Sequence, residues 1–369
     1  TYGHFPLYTL VLTAELAYQL APTAEAIGLP DPIVRTMFQA RSANGYAHIG
    51  RFLVALCDLG TVYLVFLLGR RLYGSWAGLL AAAFSAFTVL HIQLAHFFAV
   101  DPMSTTFTLL ALYGTICMVD RGGRGAALLT GVGIGLAVAS KFSALPVVAA
   151  PLIAVWLAGR RSATEPRVSR SRLWGDLLLA GWVSLVVFAV TSPYVFLDFG
   201  SFWQAVVKEQ GDMVSGVADL PFTRQYRGTP AYLYFLEQQL WWGMGLPLGL
   251  LAYAGLAWVL IRAVLRRLSL AEWVVLSWVL LYFGATGLFL AKFMRYMVPV
   301  VPLFVLFGAG LVSNARRPNV PGGRLRRSAG FVLRCLAYVG AGVALLGAML
   351  WSLAFVNGVY GTEHSWVTA

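Results

Sequence analysis

The sequence predicts an all-α, polytopic transmembrane bundle, and three observations carry that prediction. The 369 residues are 59% hydrophobic and only 11% charged, against about 25% charged in an ordinary soluble domain. The apolar residues gather into about 10–11 segments, several of them at the roughly 17–25 residues that cross a bilayer as a helix. The charged residues gather between those segments, so the net charge of +12 is spread over short loops and does not point to nucleic acid. Cys57, Cys117 and Cys335 lie inside apolar segments. They show neither metal-ligand spacing nor a disulfide framework.

In chain order, residues 1–49 read as part of a first extracytoplasmic loop with one short amphipathic or interfacial helix. Gly50 to Gly69 is a span with Asp58 in its middle and no cation nearby in sequence to pair it. Gly78 to Phe97 is a second span. Asp101 then separates it from a third, Thr105 to Val119. An acid at a helix end in a membrane is a functional-site candidate. Capping the next helix is the plainer use, with Pro102 at the first turn. Gly125–Ser140 and Leu145–Ala158 form two arms around Lys141, and Leu177–Val190 follows an arginine-rich loop. The GVGIGLA stretch reads as close helix packing through small residues rather than a nucleotide loop. Gly340, Gly342 and Gly347 read the same way. Residues 194–242 form a long extracytoplasmic amphipathic loop. Leu246–Ile261, Trp273–Leu290, Val298–Val312 and Phe331–Phe355 complete the spans, so residues 50–193 and 243–356 are the two membrane blocks. His91 and His96 are five apart, which suits no shared helix face and no metal pair.

Orientation follows from the loops. Those at 70–75, 120–124, 159–174, 262–267 and 315–329, with Arg334, hold 18 of the 27 Lys and Arg residues. That makes their side cytoplasmic by the positive-inside rule. Asp101, Lys141, the 194–242 loop and Lys292–Arg295 then share the opposite face, although they lie far apart in sequence. Two separated cations beside an acid suit a phosphate or diphosphate, with the acid as a base acting on an acceptor. The cations would otherwise snorkel to headgroups. The aromatic residues of the long loop fit a membrane belt or the stacking of sugar rings.

At these positions the chain resembles the polytopic GT-C glycosyltransferases of the protein-mannosyltransferase-like family 39. The resemblance runs through RFLVALCDLGTVYLVFLLGRRLYG, HIQLAHFFAVDPMSTTF, GIGLAVASKFSALP, TSPYVFLDFGSF, PFTRQYRGTPAYLY and FMRYMVPVVPLF. It covers nearly the whole chain in the family's order. It implies transfer of a sugar from a polyprenyl-phosphate donor to an acceptor at the extracytoplasmic face, by one inverting displacement. It places catalysis on Asp101 and substrate binding on Lys141, Arg295, Tyr296, His96 and Asp198. His96 stands where many members carry arginine. The family's first-loop acid would lie before Thr1, and 357–369 would begin an extracytoplasmic C-terminal domain. The resemblance implies no certain cofactor and leaves room for a divalent metal without demanding one. It implies a cell-membrane location with lipids and the donor as partners, and it leaves room for membrane-protein partners. The alternative is a non-catalytic GT-C-like subunit of a larger membrane complex. A transporter would show internal repeats and mid-membrane charges; no repeat is visible, and most charges fall at segment ends.

Overall fold

The computed structural model describes residues 3–160, 168–315 and 324–360, and no strand occurs among them. The chain opens with α1 (His4–Ala26) and α2 (Asp31–Phe38). Then come α3 (Ala43–Tyr73), α4 (Ser75–Ala86), α5 (Val89–Ala95), α6 (Val100–Arg121), α7 (Arg124–Ser140), α8 (Ala149–Gly159) and α9 (Arg170–Thr191). After the long loop follow α10 (Leu246–Val264), α11 (Leu270–Thr286), α12 (Val301–Ala315) and α13 (Arg324–Val359). Among the described residues, six stretches are long and apolar enough to cross a membrane, or seven if the bent α4–α5 pair is one span. Helices α7, α11 and α12 are shorter and apolar.

Local chemistry sets the breaks. Ser42 caps α3 by accepting the Gly45 N–H at 3.0 Å. Gly74, at φ 103°, ends α3 and starts α4, a conformation cheap only for glycine. Ser269 and Glu272 form a capping box on α11.

The stretch expected as a single span from Gly78 to Phe97 is instead broken, with α4 and α5 bent by 56°. The Thr88 hydroxyl donates to the Phe84 carbonyl at 2.9 Å, satisfying an acceptor near the break. This is how a polar side chain stabilises a kink in an apolar run. Asp58, with no partner evident in the sequence, meets His91 of α5, with its Oδ1 2.7 Å from the ring Nδ1.

The middle of the bundle is α6 and α12. Ten consecutive residues of α12, Val301 to Gly310, are buried, as expected of a helix that is apolar all round. Glycines let the helices cross closely. A Cβ on Gly255 of α10 would lie 2.2 Å from the Gly308 nitrogen of α12, and one on Gly69 of α3 would lie 2.7 Å from the Gly78 Cα of α4. GVGIGLA behaves as a packing surface: Gly131 and Gly135 face α9 and Gly133 faces α6. Gly347 packs on Pro247, but Gly340 and Gly342 meet nothing within 4 Å among the described residues.

The loop after α9 is folded rather than open. It carries short helical turns and docks on the end of α11. There Leu290 donates to the Val214 carbonyl at 2.7 Å and the Tyr232 hydroxyl donates to the Gly284 carbonyl at 2.9 Å. Most of the expected C-terminal segment, from residue 361, lies outside the described residues, as do parts of the arginine loops at 161–167 and 316–323.

Candidate active site

The N-terminal end of α6 meets the C-terminal end of α7, because a two-glycine turn joins the other ends of this antiparallel pair. Ser104 Oγ donates to the Ala137 carbonyl at 3.2 Å and fixes the crossing. Asp101 stands in the first turn of α6 and Lys141 directly follows α7. Each charge therefore opposes the end of the helix dipole that favours it. Lys141 Nζ lies 2.5 Å from Asp101 Oδ1. Asp101 is 1% exposed and the Lys141 side chain 13%. Asp101 is not a cap: the N-cap is Ala99, without a side-chain capping bond.

Tyr296 completes this group. Its ring centroid lies 4.8 Å from Lys141 Nζ, close enough for a cation–π contact. It belongs to a 3₁₀ turn, Met294–Met297, on the approach to α12. Arg295 is its neighbour in that turn, with Cζ 5.3 Å from the Phe293 ring. Phe289 and Phe293 meet Tyr296 edge-on at 6.2 and 5.5 Å. The long loop reaches the same turn: Gln239 Nε2 donates to the Met294 carbonyl at 3.2 Å, and Tyr226 packs edge-on to Phe293 at 5.6 Å.

Two residues beside this turn were given no role in the site from the sequence, although Lys292 was placed on the same face as Arg295. Gln239 is fully buried and leaves Oε1 without a hydrogen bond among the described residues. Its signal was a glutamine pair inside an aromatic run, which composition alone does not separate from surface polarity. Lys292 is 4% exposed and donates to the Leu290 carbonyl at 3.4 Å. Burial pushes its ammonium below the usual lysine range.

His96 and Asp198 are not brought to the Asp101–Lys141 pair. His96 caps the end of α5, its Nδ1 2.7 Å from the Ile92 carbonyl, and its ring stacks on Tyr360 at 4.1 Å. Asp198 is an exposed N-cap that accepts the Ser201 N–H at 3.1 Å. Hydrogen bonding from Ser201 holds its carboxyl below the usual range.

Asp198 lines a cavity of about 340 Å³ with His4, Ser192, Phe142 and Phe202. His4 Nδ1 and Ser192 Oγ are buried there without hydrogen-bond partners among the described residues. A wider apolar groove of about 670 Å³ shares Val138, Phe142 and Phe188 with this cavity, and runs along α7, α8 and α9 past Leu177 and Trp182. Phe142, next to Lys141, therefore stands where the groove and the smaller cavity join. No group of three or more His, Cys, Asp or Glu residues fit to hold a metal occurs among the described residues. The Asp101 carboxylate is already engaged by an ammonium.

Residues 44–195 match the family described as dolichyl-phosphate-mannose-protein mannosyltransferase. The fold is similar to that of ArnT from Cupriavidus metallidurans, in a crystal structure bound to undecaprenyl phosphate, with TM-score 0.55 and 15% identity. That likeness covers 92% of this chain and 69% of ArnT. It is also similar to the archaeal oligosaccharyltransferase AglB from Archaeoglobus fulgidus, in complex with an inhibitory peptide and a dolichol-phosphate. Here the TM-score is 0.50 and the identity 16%, over 94% of this chain and 48% of AglB, so this chain spans about half of that protein's length. No curated protein matches. The chain is a multi-pass membrane protein with the GT-C fold of these solved structures, and the match to the family model is confined to residues 44–195.

Proposed function

We propose that this chain transfers a sugar from a polyprenyl-phosphate donor to an acceptor at its arginine-poor face. One observation carries the reading: Lys141 is held by Asp101 against Tyr296, and the residue after it, Phe142, lines an apolar groove. An isoprenoid chain is all hydrocarbon and suits a groove lined by Val138, Phe142, Leu177 and Trp182. Its phosphate is a compact anion and suits the ammonium of Lys141, next in sequence to the groove-lining Phe142, with Arg295 as the proposed second cation.

In this reading a lone pair of an acceptor hydroxyl or amine attacks the anomeric carbon of the donor, and the acceptor's proton passes to the leaving phosphate. The bond from that carbon to the phosphate oxygen breaks, and its electrons stay on the phosphate. A single displacement inverts the anomeric centre. Negative charge grows on the leaving phosphate, where a fixed ammonium and a guanidinium stabilise it without having to reorganise. Asp101 is the positioning residue that points the Lys141 ammonium. Tyr296 backs that ammonium with its ring, and the aromatic loop over the site offers faces for the sugar.

The test is transfer of a radiolabelled sugar from a polyprenyl-phosphate donor in vesicles holding the purified chain. Lys141→Ala and Arg295→Ala are each expected to slow transfer by about a hundredfold or more, the scale of losing one transition-state charge contact. Asp101→Asn is expected to slow it too, through a misdirected Lys141. Unchanged rates in the Lys141 and Arg295 variants would remove the assignment. A wild-type chain that transfers nothing but co-purifies with a membrane partner would instead favour the non-catalytic subunit. The closed Asp101–Lys141 pair also suits that second reading.

A further inference from the structure

The arginine-rich end of the bundle holds a second cavity, of about 440 Å³. It lies at the end of the bundle away from Asp101, where α3, α10 and α12 finish and α11 begins. Its walls are the ends of α3, α10, α11 and α12, with the short α10–α11 turn across it. Three arginines line it, Arg262, Arg266 and Arg267, against one carboxylate, Glu272.

The carboxylate has nothing left to give. Glu272 is 3% exposed and binds both terminal nitrogens of Arg262. It also accepts the Ser269 N–H and the Ser269 hydroxyl, each at 2.8 Å. Arg262 is spent on that carboxylate and on the Arg267 carbonyl at 2.9 Å. The Arg266 and Arg267 guanidinium groups make no hydrogen bond among the described residues, and both line the cavity. Tyr73 also lines the cavity, and its hydroxyl is buried without a hydrogen-bond partner among the described residues.

The backbone adds an independent sign. Helix α10 ends in paired bonds, Arg266 N–H to the Ala263 carbonyl at 3.0 Å and Arg267 N–H to the Arg262 carbonyl at 2.8 Å. In that arrangement the first residue past the helix cap, the one making the shorter of the two loops, is left-handed, and glycine is the cheap choice there. This chain has Arg266 instead, at φ 55°.

We infer that this cavity binds a phosphate group, gripped by Arg266 and Arg267 with the Tyr73 hydroxyl as a further donor. Two guanidinium forks match phosphate oxygens in shape and charge. The cavity is walled by the ends of membrane helices, which places it at headgroup depth, where basic pockets between helices take anionic lipids. The phosphate comes either from such a headgroup or from a soluble phosphate. The inference does not rest on the transfer reaction.

The test is thermal unfolding of the full chain in phosphatidylcholine nanodiscs. One arm adds phosphatidylglycerol, a second adds inorganic phosphate, and a third adds chloride at matched ionic strength. Arg266→Gly and Arg267→Gln are compared with wild type. Arg266→Gly suits the backbone, so it folds and is expected to unfold at a higher temperature without ligand.

A wild-type shift with phosphatidylglycerol, weakened about tenfold or more in apparent affinity by either variant, supports a lipid headgroup. The same pattern with inorganic phosphate alone supports a soluble ligand. No shift beyond the chloride arm, or shifts that both variants keep in full, would overturn the proposal.

Discussion

Asp101 and Lys141 show what a buried ion pair costs and what it secures. Each charge loses hydration that the other only partly replaces, so the pair is weak evidence for stability and better evidence for fixed geometry. Lys141→Met would leave the Asp101 carboxylate buried and alone, an expected loss of about 3–5 kcal/mol. The double variant Asp101→Asn/Lys141→Met removes both charges and should recover most of it, yet remain inactive in transfer. Thermal unfolding in detergent, read beside the transfer assay, checks this; equal stability of single and double variants would mean the pair does not bear on folding. Both residues were legible in the sequence because a charge inside an apolar run stands out. Their contact was not, since 40 positions separate them. The same holds for Asp58 and His91, 33 apart, where periodicity marks each residue as odd but names no partner.

At the scale of the helix, small residues decide how near two axes approach. Lipid tails are as apolar as leucine, so membrane helices associate through close packing rather than by leaving water. Gly255 is the strictest case. Its added Cβ would meet backbone atoms of Phe307 and Gly308, which cannot swing away as a side chain can. Gly255→Ala is expected to cost about 1–3 kcal/mol by overpacking. Gly181, within α9, has nothing within 4 Å of the same atom, so Gly181→Ala should gain about 0.5–1 kcal/mol from helix propensity. Opposite shifts in unfolding temperature are the expected result, and a neutral Gly255→Ala would place the crossing further apart than described. The GVGIGLA surface was readable from its spacing. Gly340 and Gly342, which meet nothing within 4 Å among the described residues, were not distinguishable from it, because a glycine stripe does not say whether a neighbour exists. The break between α4 and α5 was hidden for a related reason: apolar character continues through it, while the bend rests on one threonine hydroxyl.

At the scale of the molecule, the alternation of loops governs everything above. Helices α3, α6, α8, α10 and α12 all end toward the arginine-rich side, and α7, α9, α11 and α13 begin there. The turn at Lys141, the start of α6 and the turn at Arg295 consequently share the other end, as the contact of Lys141 with both Asp101 and Tyr296 requires. Charge counting made this readable before any coordinates, because the arrangement depends on loop order and not on side-chain detail. It also predicts which end faces the cytoplasm. Ser215, exposed on the long loop, and Gly125, exposed beside the α6–α7 turn, mark the two ends. In a background lacking the exposed Cys335, Ser215→Cys should react with a membrane-impermeant maleimide on intact cells. Gly125→Cys should react only after the membrane is opened. Labelling of both from outside would break the alternation that brings the candidate site together. The reverse pattern would keep the site intact and turn it toward the cytoplasm, where the donor and acceptor would then have to be sought.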